Sequence, residues 1–105
     1  VSIFNNPARR EKKLLRAMEK EPNNPESYSD LGKLYFLEEN YSQAVRIYEQ
    51  GLKVIPDNSC LWFNLGVTKE ALNEIEGAKE IYLSILARDP NYQPAQERLE
   101  KITSF

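Results

Sequence analysis

Three prolines divide this chain into equal lengths. Pro22, Pro56 and Pro90 are each followed by Asn or Asp and stand 34 residues apart. A fixed period in this range marks a stacked array of supersecondary units, none of which can bury its apolar face without a neighbour. Laying residues 25–58 over 59–92 pairs Leu31 with Leu65, Gly32 with Gly66, Ala44 with Ala78, Ile47 with Ile81, Tyr48 with Tyr82 and Leu52 with Leu86. Many positions obeying one offset constrain the fold more than any single residue could.

Within a unit the pattern predicts two helices. Tyr28, Leu31, Leu34 and Tyr35 recur at the spacing of one helical face. A second face runs through Ala44, Ile47, Tyr48 and Leu52, with Ala44 and Gly51 small enough for close approach. Asn24 before Pro25 reads as a helix cap followed by proline at the first helical position. Pro56 ends the unit, because proline cannot continue a helix past its first turn. Gly32 and Gly66 sit inside the first helix of each unit, where glycine costs about 1 kcal/mol against alanine. Their recurrence at one offset implies that a side chain there would block helix packing.

The pattern Tyr28-x-x-Leu31-Gly32-x-x-Tyr35, then Ala44-x-x-x-Tyr48 and Pro56, resembles the tetratricopeptide repeat. Trp62-x-x-Leu65-Gly66, Ala78-x-x-x-Tyr82 and Pro90 resemble it again. Lys69 stands where the family usually has an aromatic, which suggests a looser seam or a lysine stem laid along apolar surface. In the turns between paired helices the family often has glycine; Asn40 and Asn73 are expected to take the left-handed conformation in its place. The resemblance implies an all-α fold of antiparallel helix pairs stacked in a right-handed superhelix. Six helices are expected: a second-helix-like cap at 7–20, two full repeats at 25–58 and 59–92, and a first-helix-like cap at 93–103. A longer array cut at both ends is the alternative.

In this family the first helix of each pair lines the concave surface, and the function implied is the holding of a peptide or helix from a partner protein. Removing the packing positions leaves Ser29, Asp30, Lys33, Phe36 and Leu37 for that surface in the first repeat, and Cys60, Phe63, Asn64, Val67 and Glu70 in the second. Phe36, Phe63 and Val67 would form an apolar strip, and exposed apolar groups rimmed by polar ones suggest a protein-binding patch. Some members of the family grip a C-terminal carboxylate with a clamp of lysines, asparagines and an arginine. Asn64 and Arg98 fall at two clamp positions, whereas Ser29, Lys33 and Pro94 fall where Lys, Asn and Lys are wanted. A clamp needs several converging charge-assisted donors, so this mode is not expected.

Other function classes find little support. The chain has no histidine, which removes the commonest general base and metal ligand, and Cys60 is its one cysteine. With no histidine to activate it, Cys60 reads as a small semi-buried residue and not as a nucleophile, and neither enzyme activity nor a cofactor is expected. A net charge of −2 gives no overall pull toward nucleic acid or anionic membranes. The basic run Arg9, Arg10, Lys12, Lys13, Arg16 and Lys20 is interleaved with Glu11 and Glu19 and lacks aromatics on which bases could stack. It reads as the solvated face of a capping helix. No apolar run is long enough to span a bilayer. The chain does not begin with Met, so it reads as trimmed or excised. Possible self-association, with the helix ends stacking on other copies, and a regulatory segment of a larger protein are the rival readings.

Overall fold

The structure is a computed structural model, and it describes residues 6–104. It contains six helices among the described residues: α1 (Pro7–Lys20), α2 (Pro25–Leu37), α3 (Tyr41–Val54), α4 (Ser59–Ala71), α5 (Ile75–Arg88) and α6 (Gln93–Thr103). Each packs on its neighbours in chain order, and α2 also lies beside α4, giving an elongated body of 43 × 30 × 20 Å. No helix among the described residues is long and apolar enough to cross a membrane.

Local chemistry sets the helix starts. Asn6, Asn24 and Asn58 cap α1, α2 and α4, their side-chain oxygens accepting from the backbone N–H of Ala8, Glu26 and Leu61 at 2.9–3.0 Å. Each satisfies a donor that the first helical turn leaves unpaired. The prolines that close the units do more than stop helices. The Tyr28 hydroxyl donates to the carbonyl of Pro22, the Trp62 indole N–H to that of Pro56 at 2.7 Å, and the Gln96 amide to that of Pro90 at 2.7 Å. Three different donors thus make one bond at one offset, tying the start of each first helix to the turn before it.

The tight turns inside each pair are closed by matching backbone bonds, Asn40 N–H to Tyr35 O and Glu74 N–H to Lys69 O, both 2.8 Å. Such a turn needs one residue in the left-handed region. In the second repeat it is Asn73, at φ 63°, as expected. In the first it is Glu39, at φ 61°, and not Asn40, whose φ is −92°. The reason is register: Glu39 is the residue 34 before Asn73, and the closing bond forces that position, whatever its side chain.

Two clusters form the core. One gathers Tyr28, Leu31, Leu34, Tyr35, Ala44, Ile47, Tyr48, Leu52, Leu61 and Leu65; the other centres on Ala78, Tyr82, Ile85 and Ala95. Trp62 and Ile81 touch both clusters. The glycines stand where the paired helices come closest. A Cβ on Gly66 would lie 2.6 Å from Cε1 of Tyr82, and one on Gly32 2.5 Å from Cζ of Tyr48. Both rings are buried, so neither can move aside cheaply.

Lys69, at the position of the usual aromatic, is three-quarters buried and lies 3.7 Å from Glu74. Its stem covers the seam while its ammonium meets a carboxylate across the turn. At the equivalent position of the first repeat, Tyr35 is buried and donates its hydroxyl to Glu11 of α1.

Candidate functional site

First helices α2, α4 and α6 carry the residues that packing does not require. Between α2 and α4 a recess of about 190 Å³ opens, lined by Lys33, Phe36, Tyr48, Phe63, Asn64, Val67 and Thr68. Five of these seven were expected from the sequence. Tyr48 and Thr68 were not: Tyr48 reads only as core, and nothing in the repeat pattern singles out Thr68. Thr68 spends its hydroxyl on the Asn64 carbonyl at 2.8 Å, so it leaves no free donor in the wall. The Tyr48 ring is buried, and burial raises its hydroxyl above the usual tyrosine range, with the nearby Cys60 adding a smaller push. It stays a neutral phenol there.

The aromatic residues are held at their flanks. The Phe36 ring meets Tyr41 edge-on at 5.2 Å, and the Phe63 ring sits 5.8 Å from Tyr82 and 6.0 Å from Tyr92. Phe63 is also partly packed on the second core cluster, so it serves fold and recess together. Val67 is half-buried at the recess wall. The 34-residue offset aligns it with Lys33 on α2 and Lys101 on α6, both exposed.

The remaining candidates divide by exposure. Asp30, Lys33 and Cys60 are exposed, and Leu37 is 78% exposed at the end of α2. Ser29 is buried and accepts from the Asn64 amide at 3.2 Å, so the two bind each other across α2 and α4. Glu70 and Arg98 are likewise engaged with each other. Arg98 grips Glu70 with two bonds, Nε to Oε2 at 3.0 Å and a terminal nitrogen to Oε1 at 2.7 Å, and the Tyr82 hydroxyl donates to the same carboxylate. Such paired, parallel bonds are the strong form of an arginine–carboxylate contact. Glu70 keeps only 11% of its side chain exposed. Its hydrogen bond holds the Arg98 guanidinium above its ordinary range, while burial, more than the Glu70 bond, pushes the Tyr82 hydroxyl up. The network fastens α6 to α4 and α5.

With Arg98 held by Glu70 and Ser29 buried, the side chains at the clamp positions do not converge as free donors. A larger depression of about 650 Å³ lies beside α3, walled by Arg46, Glu49, Gln50 and Lys53 over Leu52, Trp62 and Leu65. Its walls are long, exposed side chains of both charges, whereas the smaller recess is lined by three aromatic residues, Val67 and Thr68 with Lys33 and Asn64, from three helices.

The comparisons with known proteins agree with this architecture. Residues 35–101 match a family model described as tetratricopeptide repeat, and residues 13–46 match another of the same description. A stretch of 79 residues is 29% identical to the general transcriptional corepressor ssn6 of Schizosaccharomyces pombe, covering 73% of this chain and only 7% of that protein. Among solved structures, the first TPR domain of Spaghetti (RPAP3) bound to an HSP90 peptide superposes with a TM-score of 0.80 at 22% identity, over 89% of this chain and 74% of that one. The second TPR domain of human RPAP3, in complex with an HSP70 peptide, gives 0.81 at 18% identity over 94% and 82%. At these identities the likeness is one of fold. The six-helix superhelix, the repeated turn geometry and the matched family models together make this chain a member of the tetratricopeptide-repeat family.

Proposed function

We propose that the chain is a protein-interaction module that holds an extended or helical segment of a partner across α2 and α4. One observation carries this reading: the recess of Phe36, Tyr48, Phe63, Val67 and Thr68, which offers almost only apolar surface and has Lys33 and Asn64 at its edge. A volume of about 190 Å³ is of the order of one large side chain. Truncating an aromatic or aliphatic anchor in such a pocket typically removes about 2 kcal/mol or more of binding. The segment presents one apolar side chain to the recess and an acidic group to Lys33. Lys33 and Asn64 contribute more to choosing the ligand than to its affinity. The RPAP3 domains of like fold hold chaperone peptides; in this chain the anchor is an apolar side chain and not a clamped carboxylate, because Arg98 and Ser29 are committed elsewhere.

The test is a panel of labelled peptides combining an apolar residue with an adjacent acidic one, titrated against the wild-type chain and Val67→Lys. Lysine already stands at the equivalent positions 33 and 101, so the substitution leaves the fold intact while filling the recess. Binding should weaken by at least about tenfold in Val67→Lys and be unchanged in Lys12→Ala on α1. Equal binding by wild type and Val67→Lys, with both folded, would place the ligand elsewhere.

A further inference from the structure

The offset that relates α2 to α4 also relates α4 to α6, so the recess between α2 and α4 has a counterpart position between α4 and α6. Carried forward by 34 residues, Phe36, Phe63 and Val67 become Glu70, Glu97 and Lys101, while Asn64 becomes Arg98 and Tyr48 becomes Tyr82. Every apolar side chain that α2 and α4 give to the first recess is thus replaced by a charged one at the second junction. The backbone does not demand this. Phe36 occupies on α2 the position that Glu70 occupies on α4, and there it packs edge-on against Tyr41.

The Glu70 carboxylate meets three donors from outside its own helix. Arg98 of α6 supplies its Nε–H at 3.0 Å and a terminal N–H at 2.7 Å, and Tyr82 of α5 supplies its hydroxyl. A planar fork and a hydroxyl aimed at one point make a receptor for a carboxylate. Glu70 is nearly buried, whereas 33% of the Arg98 side chain stays exposed, so the receptor opens to solvent along its guanidinium edge. On α6 the exposed Glu97 and Lys101 stand four residues apart and offset one another's charge.

We propose that Glu70 is the built-in occupant of a carboxylate site formed by Arg98 and Tyr82, and that it sets specificity by barring a partner's acidic side chain from the α4–α6 junction. The carboxylate site stands on its own geometry; its effect on partners rests on the binding reading given above. A carboxylate already tethered to a packed helix loses little freedom in binding, so a dissolved one competes poorly with it. Deleting it leaves the hydroxyl of the wholly buried Tyr82 and the Arg98 fork without their acceptor. Unmet donors in such a place are costly, and an incoming carboxylate relieves that cost.

The experiment is a titration of wild type, Glu70→Ala and Glu70→Ala/Arg98→Met with sodium acetate, with sodium chloride as the ionic-strength control. Acetate should raise the melting temperature of Glu70→Ala and move the NMR signal of its Arg98 Nε–H to saturation. Wild type should show neither response, and the double variant should bind acetate at least about tenfold more weakly than Glu70→Ala. Glu70→Ser, whose hydroxyl can meet that of Tyr82, is a second deletion with the same expected outcome should the alanine variant not fold. The peptides described above, given a second glutamate three residues to either side of the apolar anchor, link the site to partners. Helix axes about 9 Å apart and about 3.3 Å per extended residue set that spacing. Wild type should bind them no better than the parent peptides, and Glu70→Ala at least about tenfold better. A wild-type Arg98 signal that follows acetate as the variant's does, or a Glu70→Ala that ignores acetate, would overturn the carboxylate site. Peptides that need Val67 but gain nothing from the second glutamate in Glu70→Ala would remove the specificity role and leave the recess reading standing. Peptides that sense neither Val67→Lys nor Glu70→Ala would sink that reading and this role together, with acetate still deciding the site.

Discussion

The two complete repeats share a backbone and differ in how their polar atoms are satisfied. In the first, α2 and α3 bury Tyr35, which reaches back to Glu11 of α1, and leave Lys33 and Phe36 toward the recess. In the second, Lys69 replaces Tyr35, Val67 replaces Lys33, and Glu70 replaces Phe36 and is bound by Arg98 of α6. The first repeat is therefore tied to the preceding helix by a tyrosine, the second to the following helix by an ion pair. The lesson is that a repeat backbone fixes where a polar atom falls, and each repeat then solves its satisfaction with what neighbours supply.

Substitutions at equivalent positions turn that difference into measurements. The largest effect should come from the glycines. Gly32→Leu should destabilise by about 3 kcal/mol and Gly66→Leu by somewhat less, within the range for overpacking a tight seam. The ranking follows from three atoms of the Tyr48 ring lying under 3.0 Å from a Cβ on Gly32, against one atom of Tyr82 for Gly66. Thermal melts that rank them the other way would break the claim that the first seam is the tighter.

High pH separates the repeats next. Tyr35 is pushed up to about 12, first by burial and then by its hydrogen bond to the Glu11 carboxylate. The unfolded chain releases that proton near the ordinary value of 10, so unfolding releases protons above it. The stability contributed by a neutral Tyr35 is complete below pH 10 and is lost between about 10 and 12. Tyr35→Phe should flatten the fall of the urea midpoint in that window. A slope identical to wild type would mean that the other raised tyrosines account for all of it.

Smaller again are the bonds to the proline carbonyls. Tyr28→Phe and Trp62→Phe each delete one donor, at a cost of about 1 kcal/mol. The Tyr28 bond is partly buried and the Trp62 bond exposed, so the Tyr28 loss should be the larger if hydrogen bonding alone decides. The larger area of Trp62 acts the other way; Trp62→Phe and Trp62→Tyr lose nearly the same area, but the tyrosine hydroxyl can restore the donor as Tyr28 does, so their difference isolates the bond. The smallest effect is a gain. Glu39→Gly should stabilise by about 0.5 kcal/mol by relieving a left-handed residue, and Asn73→Gly should do less, since asparagine tolerates that conformation. Equal gains at both turns would show that side-chain identity at this position is immaterial.

The helix pairs were legible in the sequence because proline and glycine act locally, and the 34-residue offset repeats their message. Pro25 marks the start of α2 and Gly32 its closest seam without knowledge of any partner. The left-handed residue was misplaced at Asn40 because propensity favours asparagine, whereas the closing bond from Asn40 to Tyr35 fixes the position and Glu39 occupies it. The recess walls were partly legible, as Phe36, Phe63 and Val67 remain once packing positions are removed. The grip of Arg98 on Glu70 was not, because it joins residues 28 apart and depends on how closely α4 and α6 approach. Nor was the pairing of Ser29 with Asn64, which looks from the sequence like two free polar groups.

Trp62, whose indole bonds the Pro56 carbonyl, is the only tryptophan in the chain. It also touches both core clusters, so it stands at the junction where the first repeat hands over to the second. Linear arrays lose structure from their ends inward, unit by unit, when neighbour coupling is weak. Fluorescence of this indole therefore reports the middle of the molecule alone, while circular dichroism reports every helix. Coincident transitions from the two signals would describe six helices that melt as one body; helical signal lost ahead of fluorescence would describe an array that frays before its centre lets go.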